Sequence, residues 1–193
     1  MEKGIMYFLG VGALIYVLVV GMYVTQHSAS VLAAPVVITT DETLLTSEVY
    51  MDINQDITMR FPKDWEIDRD AAANAGALLI SRSGKGSQAL RIIKITKENL
   101  PFSEEKIING NLSDFSYFMK SAKIASSTLI TLHGKPARLL EATLDVKGIY
   151  YRELAVFIVK DGHPFIISGM ARDSLWSVYK NEILAALLSF EMN

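Results

Sequence analysis

Residues 124–171 read IASSTLITLHGKPARLLEATLDVKGIYYRELAVFIVKDGHPFIISGMA, and this stretch decides the fold class. Its alternating and β-branched runs predict four strands, at Ile124 to His133, Ala137 to Val146, Ile149 to Lys160 and Pro164 to Ala171. The turns between them, Gly134-Lys135, Lys147-Gly148 and Asp161-Gly162, each supply the glycine that a tight hairpin needs for a positive φ. The stretch therefore predicts a meander of antiparallel neighbours.

The third of these strands differs from the second in its pattern of apolar residues. The strand from Ala137 to Val146 alternates, which is typical of a strand with one face exposed. The strand from Ile149 to Val159 is apolar on both faces in its second half. We expect it to be central and covered on both sides.

Outside the meander, further strands and two helical regions are predicted. Strands are expected at Ser47 to Ile53 and Ile57 to Phe61, and a hairpin at Ala77 to Ser83 with Gln88 to Lys97. Ser103 can cap one bent helix or two short ones, because Gly110 and Asn111 interrupt the apolar pattern. Asp173 or Ser174 is expected to cap a last helix, which closes the core with Trp176, Tyr179, Ile183 and Leu187. The fold class is α+β, with a mostly antiparallel sheet flanked by helices.

The amino-terminal region is a separate segment. Residues 4–24 contain no charged side chain and are long enough to cross the roughly 30 Å hydrocarbon core of a bilayer. We expect residues 1–26 to form a transmembrane signal anchor, residues 27–47 a linker and residues 48–193 the domain. The alternative is a cleaved signal peptide, because Val31-Leu32-Ala33 places small residues before a cleavage site, although the apolar run exceeds the usual length.

The position of Lys3 before the apolar run sets the expected orientation. By the positive-inside rule it keeps the amino terminus in the cytoplasm, which makes the chain a single-pass protein of the inner (cytoplasmic) membrane with its domain in the periplasm or outside. The net charge of −2 and the pI near 5.9 argue against nucleic acid as a partner. The chain has no cysteine, which excludes disulfides, thiolate metal ligands and a cysteine nucleophile.

Several short motifs resemble one fold family. Phe61-Pro62-Lys63-Asp64-Trp65 follows a strand, residues 132–137 read LHGKPA, and Ser174-Leu175-Trp176 opens a carboxy-terminal helix that finishes Ser189-Phe190. This order resembles the PsbP-like fold of photosystem II PsbP proteins, a Ran-binding release factor and bacterial DcrB-like exported proteins, and covers about Glu48 to Asn193. The resemblance implies an antiparallel sheet flanked by helices. It transfers no catalytic residue and does not fix a function.

One hairpin is locally basic. Its positive residues have no acidic neighbour before Glu98, and they are Arg82, Lys85, Arg91, Lys94 and Lys97. Such a hairpin is a candidate contact for an anionic partner, and the simpler interpretation is a solvated edge strand whose lysines prevent aggregation. Glu141, Asp145, Arg152 and Glu153 are interpreted as cross-strand charge pairs.

No motif in the sequence indicates a reaction, a metal or a cofactor. We therefore expect a membrane-anchored binding or assembly module without catalytic activity, which contacts the bilayer through residues 4–24 and an envelope protein through its domain. One alternative is a hydrolase with a loop-built site that uses His133, His163 and Asp161. Another is an exported small-molecule-binding protein, with a pocket between sheet and helices lined by Phe115, Phe118, Tyr150 and Tyr151.

Overall fold

The computed structural model describes residues 34–63, 65–83, 91–119 and 122–192. The predicted anchor at residues 1–26, with its apolar run at 4–24, lies outside the described residues. Within the described part of the chain, no helix combines the length and the apolar character needed to cross a bilayer. Residues 34–193 form one unit, which includes residues 34–47 of the predicted linker. Val36 of that segment donates its N–H to the carbonyl of Leu129 at 3.0 Å.

The described residues contain ten strands and four α-helices. The strands are β1 (Leu45–Asp52), β2 (Ile57–Pro62), β3 (Glu66–Ile67), β4 (Leu79–Ser83), β5 (Arg91–Lys97), β6 (Ala122–Leu132), β7 (Lys135–Val146), β8 (Ile149–Lys160), β9 (His163–Arg172) and β10 (Glu191–Met192). The helices are α1 (Arg69–Asn74), α2 (Glu104–Asn109), α3 (Leu112–Ser116) and α4 (Trp176–Leu188), with 3-10 turns at Glu42–Leu44 and Asp173–Leu175. The chain is therefore α+β, as predicted.

Seven strands form the main sheet, in the order β3-β4-β5-β9-β8-β7-β6, and every neighbouring pair is antiparallel. The predicted four-strand meander is confirmed as β6 to β9. Its three hairpin turns have positive φ at both central residues, which gives the backbone twist that two-residue hairpins favour. The pairs are Lys147-Gly148 and Asp161-Gly162, as predicted, and His133-Gly134, which lies one residue before the predicted Gly134-Lys135 because Lys135 already belongs to β7. The predicted hairpin of β4 and β5 is also confirmed, but it is not the sheet edge, because β5 pairs with β9 and β4 pairs with β3.

One face of the main sheet packs on α4, and we call it the α4 face. It carries Leu154, Val156 and Ile167, all at most 2% exposed, against Ile183 and Leu187 of the helix. A second sheet, in the order β1-β2-β10, covers the other side of α4. The prediction that this helix closes the core is confirmed.

The start of α4 differs from the prediction that Asp173 or Ser174 caps it. A 3-10 turn precedes the helix. The residue before the turn, Arg172, and the residue before the helix, Leu175, form no capping hydrogen bond through their side chains. The Asp173 carboxylate accepts a hydrogen bond from Arg152 Nε at 2.6 Å instead. An ion pair from the neighbouring strand has replaced the cap.

The opposite face of the sheet packs on α2 and α3, and we call it the α2–α3 face. Phe115 and Phe157 are fully buried there, with ring centroids 5.2 Å apart in an edge-to-face arrangement. The predicted helical region is two short helices rather than one bent one. Gly110 separates them in an extended conformation, and Asn111 begins α3 with a capping box that includes Asp114.

Candidate functional site

A cavity of about 380 Å³ lies on the α2–α3 face, between the sheet and the end of α3. Four strands, β5, β9, β8 and β7, contribute to its floor, and the residues that follow α3 form one wall. The lining consists of Ile92, Lys94, Thr96, Glu98, Tyr117, Phe118, Met119, Leu144, Glu153, Ile166, Ser168 and Met170. The described lining thus combines apolar and aromatic side chains with a nearly equal number of polar ones.

Glu153 is the central polar residue of this cavity. It lies on β8, opposite Met170 of β9 and Ala142 of β7, and its side chain is partly buried. Burial raises the pKa of the Glu153 carboxyl, while the Ser168 hydroxyl and the positive charge of Lys94 act in the opposite direction. Among the described residues, no basic nitrogen lies within 4.0 Å of this carboxylate.

The wall of the cavity is held by the aromatic cluster beneath α3. Phe118 contacts Phe102 and Phe157 edge-on, with centroids 5.4 and 5.9 Å away. Arg138 fastens α2 to the sheet, since its Nε donates to the Ile107 carbonyl at 2.7 Å and it also donates to the Ile108 carbonyl at 2.5 Å. These carbonyls lie at the end of α2, where no helical partner is available. The helices that border the cavity are therefore anchored to the sheet by these contacts.

The five basic residues predicted as one anionic-partner contact do not share a surface. Arg91 points to the α4 face, where it pairs with Glu182, and Lys94 points into the cavity on the opposite face. Arg82 forms an ion pair with Asp68 at the β3 side of the sheet. Lys97 lies 5.5 Å from the ring centroid of Phe165.

Lys85, the fifth predicted residue, lies outside the described residues. Four of the five positions are therefore distributed over two faces of the sheet. The two arginines already hold acidic partners, so their charges are engaged within the domain.

The charged residues of β7 and β8 divide between the two faces. Glu141 and Arg152 form the predicted cross-strand pair, at 3.7 Å, and Lys180 of α4 also contacts Glu141 at 3.0 Å. The Asp145 carboxylate instead accepts a hydrogen bond from the Gly148 N–H at 2.7 Å, within the turn. Glu153, interpreted as a member of the same set, lies on the opposite face. The sequence contained a signal for this placement. Strict alternation along β8 puts Glu153 on the same face as Ala155 and Phe157.

The candidate residues of the hydrolase alternative lie at one end of the sheet, as expected. His133 contacts the Leu188 carbonyl through Nε2 at 3.1 Å and Glu191 through Nδ1 at 3.5 Å. His163 begins β9, three strand positions from β6, or about 14 Å. The described residues contain no group of three acidic or histidine side chains that could hold a metal ion.

The predicted small-molecule pocket has the right location but a different lining. Of its four aromatic residues, only Phe118 lines the cavity. Phe115 is fully buried in the core below it, and Tyr150 is 64% exposed near the β7–β8 turn. Sequence reasoning did not identify Glu153, Ser168 or Lys94 as members of one site.

Comparison with known proteins gives the fold but no sequence relative. No protein-family model matches the chain, and no curated protein matches it. Among solved structures, cyanobacterial PsbP (CyanoP) from Synechocystis sp. PCC 6803 matches with a TM-score of 0.59 and 14% identity, over 76% of this chain and 92% of that one. LpqN, involved in cell envelope biogenesis of Mycobacterium tuberculosis, matches with a TM-score of 0.47 and 13% identity, over 69% of this chain and 81% of that one. The predicted resemblance is therefore confirmed at the level of architecture: the chain has the PsbP-like fold.

Proposed function

We propose that this chain is a non-catalytic binding module whose ligand site is the cavity on the α2–α3 face. The observation that carries the proposal is Glu153, a partly buried carboxylate that faces a cavity and has no ion-pair partner among the described residues. Removing a charge from water without a partner costs free energy. A ligand that binds the carboxylate would offset this cost.

The size and shape of the site support a small ligand. A volume of about 380 Å³ lies in the range of ordinary small-molecule pockets. The frame around it is fastened by Arg138 and by the aromatic cluster, which favours a site that exists before the ligand arrives.

The placement of the histidines favours binding over hydrolysis. A general base must reach the reacting group, directly or through one water. His133 is engaged by Leu188 and Glu191 on the α4 side of the sheet, whereas the cavity residues lie on the other side. We therefore propose no catalytic role for the cavity.

We also propose that the domain works at a membrane, with residues 4–24 in the cytoplasmic membrane and the domain in the periplasm or outside, beside an envelope protein. The support is the uncharged run after Lys3. External protease should digest the domain in spheroplasts and spare an amino-terminal tag. Protection of the domain would contradict this topology, and a mature chain that begins near Ala34 would contradict the retained anchor.

The binding proposal is tested with methyl-labelled methionine in the whole chain. Met119 and Met170 line the cavity, whereas Met59 and Met192 pack on the other side of the sheet. In a screen of small molecules, a ligand should shift the methyl resonances of the first two methionines and leave those of the second two in place.

A variant that fills the cavity provides the second readout. Ser168→Leu should abolish these shifts, and the control Ser126→Leu on the exposed edge strand β6 should retain them. If no compound in a broad library moves the Met119 or Met170 resonances, the cavity is not a ligand site and the proposal is wrong.

A further inference from the structure

The described lining of the cavity contains more acidic side chains than basic ones. Among the described lining residues, two carboxylates, Glu98 and Glu153, face one ammonium group, Lys94, so these three carry a formal charge of −1 when all are ionised. None of the three forms an ion pair within 4.0 Å with any described residue. Among the described residues of the lining, acidic groups therefore outnumber basic ones by one.

The sheet register explains why Lys94 does not neutralise Glu153. Lys94 lies opposite Ser168 on β9, and Glu153 lies opposite Met170, two residues further along the same strand. With two strand spacings and two residues between them, the Cα atoms of Lys94 and Glu153 are about 12 Å apart. At this Cα separation the two charged groups do not come within 4.0 Å of each other, although Lys94 still acts electrostatically on Glu153.

Aromatic and apolar side chains border this space. Tyr117 and Phe118 have ring centroids 5.3 Å apart in an edge-to-face arrangement, and both line the cavity. Aromatic faces attract cations, most strongly where water is excluded. Leu144, Met170 and Ile92 provide an apolar surface beside them.

We infer that the cavity takes a small organic cation, an ammonium group on an apolar body, with the ammonium against Glu153 and the body against the Phe118 and Met170 side chains. This inference rests on the proposed function, because it names the ligand class of the same site. A carboxylate that shares a cavity with aromatic side chains suits an organic ammonium, whereas a bare metal ion would require several oxygen or imidazole ligands. The described residues contain no such group.

The test compares three probes that share one alkyl chain: hexylamine, hexanol and hexanoate. Each is titrated into the whole chain while the Met119 and Met170 methyl resonances are followed. We expect hexylamine to bind at least about tenfold more tightly than hexanol, the effect of one charge-assisted hydrogen bond. Its affinity should rise with pH as Glu153 loses its proton, because hexylamine stays cationic throughout.

The described charged and titratable side chains of the cavity lining, and one further along β9, bear on the pH profile of Glu153. Lys94 on β5, Glu98 after it and Tyr117 after α3 line the cavity, and Arg172 lies on the same face of β9 beyond Met170. Glu153→Gln should remove both the preference for hexylamine and its pH dependence. Glu141→Gln, a strand glutamate on the α4 face, is the matched control and should change neither.

The outcomes separate this inference from the proposed function. If hexanol or hexanoate binds as tightly as hexylamine, or if Glu153→Gln keeps the preference, the cation is wrong while the cavity remains a ligand site. If hexylamine does not bind but a library compound shifts the Met119 and Met170 resonances, the inferred cationic ligand is likewise wrong while the cavity remains a ligand site. If no compound of any class shifts them, the inference and the proposed function both fail.

Discussion

The two basic residues Arg91 and Lys94 of β5 lie on opposite faces of the seven-stranded sheet and differ in whether they form an ion pair. On the α4 face, Arg91 of β5 contacts Glu182 at 3.0 Å, and the same carboxylate accepts a hydrogen bond from Trp65 Nε1 at 2.7 Å. The Arg91 guanidinium also lies 4.0 Å from the ring centroid of Tyr179. On the other face, three residues further along β5, Lys94 lines the cavity together with Glu98 and Glu153 but forms no ion pair within 4.0 Å with any described residue.

If the cavity binds a ligand as we propose, β5 contributes to stability on one face and to binding on the other. A charge pair stabilises a fold only when its geometry and its hydrogen bonds replace the lost water, and the Arg91 site meets this condition. The Glu153 carboxylate has a hydrogen bond from Ser168 but no cation within 4.0 Å among the described residues, which is why we propose it as a ligand contact. We therefore expect mutations on the α4 face to reduce stability, and mutations in the cavity to change binding with little loss of stability.

The largest expected effect comes from removing the acidic partner on the α4 face. Glu182→Ala leaves Arg91 and Trp65 without their acceptor, and the pair is about one-fifth exposed, so we expect a loss of about 2–3 kcal/mol in the free energy of unfolding. Urea denaturation measures it. Glu66→Ala, at an exposed position of β3, is the control and should stay within about 0.5 kcal/mol. An equally small effect of Glu182→Ala would mean that the Arg91 network does not stabilise the fold.

A smaller loss of unfolding free energy is expected from a substitution at Gly169 of β9, which packs against α4. A Cβ at Gly169 would lie 2.4 Å from Ile183 Cγ2 and 3.1 Å from Leu187 Cδ1, so Gly169→Ala overpacks this contact. We expect a loss of about 1–3 kcal/mol in thermal or urea unfolding. The neighbouring Ser168→Ala changes the cavity face of the same strand and should cost less than Gly169→Ala. A reversed order would contradict the division of roles between the faces.

The smallest expected effect on the free energy of unfolding is that of Glu153→Gln. Unlike the two substitutions above, it is not expected to reduce this free energy. The raised pKa of Glu153 means that the folded protein binds more protons than the unfolded chain between the ordinary glutamate value and the raised one. The stability of the wild type therefore falls as pH rises through that window. Glu153→Gln should be at least as stable as the wild type at neutral pH, and the difference should disappear below the ordinary glutamate pKa.

Thermal unfolding of both proteins across this pH range checks the prediction for Glu153→Gln. Subtracting the two curves removes contributions from the other groups that titrate there, such as Asp41, whose pKa is lowered by its hydrogen bonds with Thr43. A variant that loses stability at neutral pH would show that the ionised carboxylate is well paired in the folded state.

The sequence predicts the meander because its signals are local. Alternation along β6 to β9 and a glycine in each turn suffice to place the strands and their antiparallel pairing. The cap of α4 was predicted incorrectly, because Arg152, more than 20 residues before the helix, takes the Asp173 carboxylate. Local patterns cannot show such a competitor.

Only part of the cavity could be predicted from the sequence. The face of Glu153 follows from alternation along β8, but its neighbours depend on β5 pairing with β9, which are about 70 residues apart in the chain. The Arg91–Glu182 pair depends on a similar long-range packing, over 91 residues. The single sequence gives no sign of either juxtaposition, so the basic hairpin was interpreted as one surface although its side chains alternate between two.

The most direct test of this account is the pKa of Glu153, measured by carboxyl carbon NMR on the whole chain with Glu153→Gln to assign the resonance. The account predicts a pKa above the ordinary glutamate value, and a further rise in Lys94→Met, which removes the positive charge that opposes the effect of burial. A Glu153 pKa at or below the ordinary value would show that the carboxylate is already solvated or paired, and would contradict its role as an open site for a ligand.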